Sequence, residues 1–376
     1  MLKTYSTRAI SVAAAVLTTT TVRGRAAMLA FATASALVLA VPFAATVRAE
    51  PAATGFVYTA DEFGNTVSRI DLTTEKIDIV PVPITPHNVQ FVPGKDLVLA
   101  VGLPAAEDAH AAGVAGHGNN GPGDGPVAGQ LIILDGADIS SGVKASIAVG
   151  AHPAHVIADA QGNLAYVSNS EDDTISVVDL AKGEVVASVS TGDYPHGLRM
   201  SPDGGTIYVA NVQDGTVSVI DTAALTEVAR IKVGAAPVQV GLTPDGARVF
   251  VSLRDENKVA VIDTQSREVI ARINVGRSPI QVHATPDGRL VYVANQGTEA
   301  DPDETVSVVD VASGNVVKTI QTDKGAHGVT VATDGAFVFV TNIVAGTVSQ
   351  IDVASQSVVK TYAVGKGPNG VTYQAP

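Results

Sequence analysis

The sequence contains no cysteine and no tryptophan, and only 4% of its 376 residues are aromatic. Without cysteine there can be no disulfide framework, thiolate zinc site, iron–sulfur cluster, thioether-attached haem or cysteine nucleophile. Any metal must then be held by His, Asp, Glu, amide or backbone ligands. The missing thiols also suit an exported protein that avoids oxidation. Eight Tyr and eight Phe offer few platforms for stacking sugars or single-stranded bases. Basic residues are scarce too: 24 Lys and Arg face 37 Asp and Glu, a net charge of -13. Such a balance opposes nucleic acid, which is bound chiefly by basic groups that neutralise phosphates.

Acidic residues are absent from positions 1–49, which carry Lys3, Arg8, Arg23, Arg25 and Arg48. A small-residue apolar run from Ala26 to Thr46 precedes Val47-Arg48-Ala49-Glu50-Pro51. A basic start, an apolar stretch and small residues before a cut predict a signal peptide over 1–49, cleaved after Ala49. An uncleaved N-terminal anchor is the alternative, because the run is just long enough to span a bilayer. Losing the five basic residues leaves 19 against 37 acids and a charge of -18. The expected product, residues 50–376, is a periplasmic or secreted monomer, without membrane insertion after cleavage and without nucleic acid.

What the chain does have is repetition. The glycines of Pro202-Asp203-Gly204, Pro244-Asp245-Gly246 and Pro286-Asp287-Gly288 follow one another at intervals of 42 residues. Gly162 precedes Gly204 by the same interval, and Thr333-Asp334-Gly335 follows Gly288 after 47. A period in the forties with several short strands per repeat marks a propeller, whose four-stranded blades bury their faces against one another. Each repeat predicts four strands, A to D, rich in Val, Ile and Thr and punctuated by Gly, Pro, Asp and Asn. The Asp that ends strand C occurs seven times, at Asp71, Asp135, Asp179, Asp221, Asp263, Asp310 and Asp352. The first repeat enters at strand B with Gly55-Phe56-Val57-Tyr58, while Gly367-Pro368-Asn369-Gly370-Val371-Thr372-Tyr373 is a strand A with no blade after it. The expected fold is therefore all-β, a seven-bladed propeller closed by pairing the C-terminal strand with the N-terminal blade.

Strand B carries Tyr166-Val167-Ser168-Asn169, Tyr208-Val209-Ala210-Asn211, Tyr292-Val293-Ala294-Asn295 and Phe339-Val340-Thr341-Asn342. These resemble the motif of the YVTN β-propeller repeat family over nearly all of residues 50–376. Blade 5 departs with Phe250-Val251-Ser252-Leu253 and blade 2 with Gly102. The resemblance implies a fold and not one chemistry, since haem-d1-like and lactonase-like relatives share the architecture.

In a propeller the D-to-A and B-to-C loops share one face, and the Pro-Asp-Gly turns and strand C Asp residues lie on the other, where they read as turn chemistry. On the first face, the residue after the strand A proline, or after Ala326 in its place in blade 7, is His87, Ala154, His196, Val238, Ile280, His327 and Asn369 around the ring. The next is Asn88, His155, Gly197, Gln239, Gln281, Gly328 and Gly370. His87, His155, His196 and His327 thus ring the channel mouth, with His152 just before them. Neutral imidazoles converging there could bind Zn or Cu; the bland alternative is a ring that hydrogen-bonds loops and channel water. His283, aligned with Arg199, reads as packed or channel-facing. An insertion over 103–129 in blade 2 adds His110 and His117 beside Glu107 and Asp108, either a cation carrier or a flexible lid. Glu299 to Glu304 reads as a solvated acidic loop rather than a calcium site, for it lacks the ligand spacing.

These residues support an exported, non-catalytic binding propeller holding a small ligand or divalent transition metal, metallochaperone-like, with another envelope protein as a candidate partner. The competing readings are a propeller enzyme, either a lactonase-like hydrolase or a haem-d1-like redox protein, and a protein-interaction scaffold.

Overall fold

Blade 4 shows how the repeat folds. Its strands β12 (Pro195–Met200), β13 (Thr206–Asn211), β14 (Thr216–Asp221) and β15 (Thr226–Lys232) pair antiparallel in that order. Ile207 to Asn211 are all buried, because both faces of the inner strands pack on neighbouring blades. Strand β15 alternates exposed and half-buried residues, as an outer strand should. Asp203 Oδ1 accepts from Gly205 N at 3.0 Å, and Gly204 supplies the turn's φ of 75°. Asp221 accepts from Ala223 N and Ala224 N at 2.9 and 2.8 Å, so the Asp at the end of strand C is a turn residue.

The computed structural model describes residues 52–105 and 127–376. These form seven four-stranded sheets, the all-β seven-bladed propeller expected from the repeats. Strand β28 (Pro368–Gln374) pairs with β1 (Phe56–Asp61), which continues to β2 (Thr66–Asp71) and β3 (Ile77–Pro81). Val57 faces Tyr373 in that register, and the Tyr58 hydroxyl donates to Gly136 O at 2.7 Å in blade 2. The hydrophobic core is distributed over seven apolar clusters, each drawn from two adjacent blades. Single blades could not bury these faces alone.

The motif asparagine locks strand B to strand C. Asn211 Nδ2 donates to Thr216 Oγ1 and Ser218 Oγ, both at 2.9 Å, and Asn169, Asn295 and Asn342 repeat the arrangement. Blade 1 inverts it: Asp61 occupies that place and accepts from Thr59 Oγ1 at 2.7 Å, Thr66 Oγ1 at 2.9 Å and Ser68 Oγ at 2.6 Å.

Two boundaries differ from the sequence reading. In blade 2, β5 (Leu97–Pro104) and β6 (Ala128–Asp135) extend into both ends of the insertion, because β4 (Ile84–Val92) starts early enough to pair Ile84 with Pro104. In blade 6, β22 (Pro302–Asp310) takes in the second half of the acidic stretch, Gly297 facing Pro302 across a tight connection. Asp301 there is ion-paired with Arg277, and Asp303 accepts from Arg277 N at 3.0 Å. The leader over 1–49, His110 and His117 lie outside the described residues. Among the described residues, no helix is long and apolar enough to cross a membrane.

Candidate functional site

The innermost strands are β28, β4, β8 (Pro153–Ala158), β12, β16 (Pro237–Leu242), β20 (Pro279–Ala284) and β24 (Ala326–Val331), and each touches the next around the channel. Their inner edges have no strand partner, so their N–H and C=O groups need other partners. Side chains supply them. Asn88 Oδ1 accepts from Val156 N at 3.3 Å, Gln281 Oε1 from Val329 N at 3.2 Å, and Thr372 Oγ1 from Phe91 N at 3.2 Å. The chain enters these strands through left-handed residues, among them His152 at φ 52° and Tyr194 at φ 60°.

A bulge follows. In β12 the pairing with β13 slips between Pro195 and Leu198, and β8 and β4 slip at the same place. Bulges re-aim side chains, so both residues after the proline reach the mouth. Thus His87 and His196, one residue after it, meet His155, two residues after it. The rings are buried, with centroids 5.1 Å apart for His87 and His196, 4.8 Å for His155 and His196 and 5.7 Å for His87 and His155.

Backbone carbonyls set the tautomers. His87 Nδ1 lies 2.9 Å from Ala154 O and His196 Nδ1 lies 3.2 Å from Val238 O. A carbonyl only accepts, so Nδ1 carries the proton and Nε2 the lone pair in both. His155 differs: its Nδ1 faces Gln239 Nε2 at 3.3 Å, which reaches over Gly197. An amide nitrogen only donates, so here Nδ1 accepts and Nε2–H has no hydrogen-bond partner among the described residues. Gln239 is held this way round by Val240 N, which donates to its Oε1 at 2.9 Å, so freeing His155 Nε2 as a ligand atom requires the amide to swing away and give up both bonds. Burial holds His87 down to about 4, aided by His152 and opposed by the Ala154 carbonyl. It holds His155 well below its ordinary range, with His87, Arg199 and His327 adding to the effect. Both are neutral near pH 7, the form that binds metal.

One nitrogen from each of His87, His155 and His196 lies within 4.8 Å of the others. Tetrahedral zinc with Zn–N of about 2.0–2.1 Å brings its nitrogens to roughly 3.3–3.4 Å, so ring turns of about an ångström separate this arrangement from a three-imidazole site with one open position. His327 is outside the trio. With His196, Tyr194, Gln213 and Arg254 it lines an adjoining cavity of about 230 Å³. His152 faces Glu171 Oε1 at 3.5 Å instead. Tyr194, Gln213 and Arg254 were not singled out in the sequence, where only their places beside strand A prolines and strand B ends mark them.

The loop acids of this face are largely occupied in structure. Asp172 Oδ2 accepts from Ala151 N at 2.6 Å, Glu256 Oε1 from Ala235 N at 2.8 Å and Glu62 Oε2 from Asn369 Nδ2 at 2.7 Å. Asp172 and Glu256 fasten the segment arriving from the preceding blade, and Glu62 ties the loop after β1 to β28 within blade 1.

A family model for a YNCE-like beta-propeller matches residues 134–245, and one for the cytochrome D1 heme domain matches residues 245–369. Both describe propellers. With the seven blades, they support a YVTN-type propeller family. Among solved structures, the propeller is similar to a hydrazine synthase chain from Kuenenia stuttgartiensis at 20% identity and a TM-score of 0.62, covering 77% of this chain and 89% of that one. It is also similar to a functionally unknown protein from Desulfotomaculum acetoxidans at 15% identity and a TM-score of 0.68, covering 86% and 100%. A candidate 6-phosphogluconolactonase from Bacteroides uniformis, at 15% identity and a TM-score of 0.65, covers 85% and 99%. At these identities the likeness is one of fold. A comparison with curated proteins finds no match.

Among the described residues, the cavity adjoining the mouth is too small to enclose the haem named in one family model. The cavity of about 230 Å³ is below the 300–1,000 Å³ typical of sites enclosing drug-sized ligands, and a tetrapyrrole is larger than most of those. The three buried imidazoles touch one another rather than leaving a slot between them.

Proposed function

We propose that this propeller is an exported, non-catalytic binding protein that holds one divalent transition metal ion, Zn or Cu, at its channel mouth. His87, His155 and His196 supply the ligand nitrogens, and the fourth position is left to a small ligand or to a group on an envelope partner. The observation that carries the reading is the buried trio itself, with its ligand nitrogens within 4.8 Å of one another. Two of its rings are fixed by carbonyls behind them. Such outer partners orient metal-bound imidazoles and raise their basicity. Burial keeps protons from competing for His87 and His155. Export follows from the leader's charge pattern and cell fractionation checks it: the chain belongs in the envelope or medium fraction.

Calorimetric titration of the metal-stripped full chain with Zn²⁺ and with Cu²⁺ tests the site. One ion should bind per chain. His87→Ala, His155→Ala and His196→Ala should each weaken binding at least tenfold, while His327→Ala and His152→Ala change it little. Absence of binding, or undiminished binding in the triple variant, would sink the proposal. The latter would shift attention to His110 and His117.

A further inference from the structure

Below the mouth, the channel strands carry a cation that no carboxylate pairs with among the described residues. Arg199 lies on β12, three residues past His196 and so about 10 Å further along a strand. It shares a face with Gly197, across which Gln239 reaches His155, and opposes Leu198, which is buried in the seam between blades 3 and 4. The residue is half-buried on the innermost strand, and its guanidinium is packed among protein atoms. Its one hydrogen bond runs from Nη1 to Leu198 O at 3.1 Å, and no carboxylate pairs with it among the described residues. Burial alone lowers it to about 10, so it stays charged at neutral pH.

Its neighbours do not offset that charge. Arg199 acts electrostatically on His155 of blade 3 and His283 of blade 6, and both imidazoles are held neutral. At the aligned position blade 5 has only Gly241, where a Cβ would come within 2.9 Å of Val282 O. Blades 7 and 1 place Thr330 and Thr372 there, and Thr372 Oγ1 already accepts from Phe91 N, which leaves its hydroxyl hydrogen to donate. A buried charge is stable only when paired, and a guanidinium presents five donors in a fork that matches an oxyanion.

We propose that the middle of the channel is a binding site for a small oxyanion, a carboxylate or an inorganic oxyanion, held by Arg199 with the Thr330 and Thr372 hydroxyls. The site is independent of any metal at the mouth. The test uses the purified full chain in low-salt buffer with EDTA, titrated calorimetrically with inorganic phosphate and, separately, with acetate. Saturable one-to-one binding of either supports the proposal and names the oxyanion class. Arg199→Met, close in length but uncharged, should weaken binding at least tenfold and abolish the rise in Tm that the anion gives the natural protein. Arg199→Lys should retain weaker binding. If Arg199→Met fails to fold, Thr330→Val supplies the second test, with a severalfold loss expected. No saturable binding of either anion overturns the proposal, as does binding undiminished in Arg199→Met. Neither result depends on whether the histidines hold metal.

Discussion

Replacing Asp61 by Asn should stabilise the protein at neutral pH and hardly affect it in acid. Asp61 is fully buried, and burial pushes its carboxyl up to about 6 from 3.8 despite hydrogen bonds from Ser68, Thr59, Thr66 and the Gly365 amide. The folded state therefore binds this proton more tightly than the unfolded chain, so stability falls as pH rises from about 4 through 6. Two units at about 1.4 kcal/mol each give an upper value of about 3 kcal/mol lost by pH 7. An asparagine escapes that loss and can donate to Thr66 and Ser68, as Asn211 does to Thr216 and Ser218. At about 2.1 cal/mol/K per residue over the propeller, the full amount raises Tm by roughly 4 °C. Thermal melts of both proteins between pH 4 and 7.5 measure it. The gap should be near zero at pH 4 and open up to pH 7. A lower Tm for Asp61→Asn at pH 7.5, or a gap that ignores pH, refutes the reasoning.

Two other perturbations test the scaffold. Asn295→Ala removes the donors to Thr305 Oγ1 and Ser307 Oγ inside blade 6, and it should cost about 1–3 kcal/mol in urea unfolding; an unchanged midpoint would contradict the locking role. Gly102→Ala places a Cβ 1.9 Å from Thr85 O, against backbone that cannot yield without parting β4 from β5. It should lower Tm by several degrees, whereas Gly205→Ala, whose Cβ meets nothing closer than 3.5 Å, should leave Tm nearly unchanged.

The fold was legible because each repeat restates it. The 42-residue period, the Asp ending each strand C and the orphan strand A from Gly367 to Tyr373 sufficed for blade number and closure. The site was less legible for identifiable reasons. His87 and His155 stand at different offsets from their prolines, and only the bulge opening each inner strand lets both reach one point. His327 has the same offset as His87 and His196, yet it faces the adjoining cavity. Asp61 passed unnoticed because blade 1 lacks the motif asparagine that would have drawn the comparison. The sequence shows the loop acids only as charge, whereas Asp172 and Glu256 each commit an oxygen to a backbone amide of a neighbouring loop.

The central claim, that three imidazoles at the channel mouth bind one metal ion, is tested most directly by X-ray absorption on the full chain loaded with one equivalent of Zn²⁺. The account predicts nitrogen scattering at about 2.0–2.1 Å from the metal with the outer pattern of three imidazoles, reduced to two in His196→Ala. A spectrum with no imidazole scattering, or one unchanged by that substitution, would contradict it.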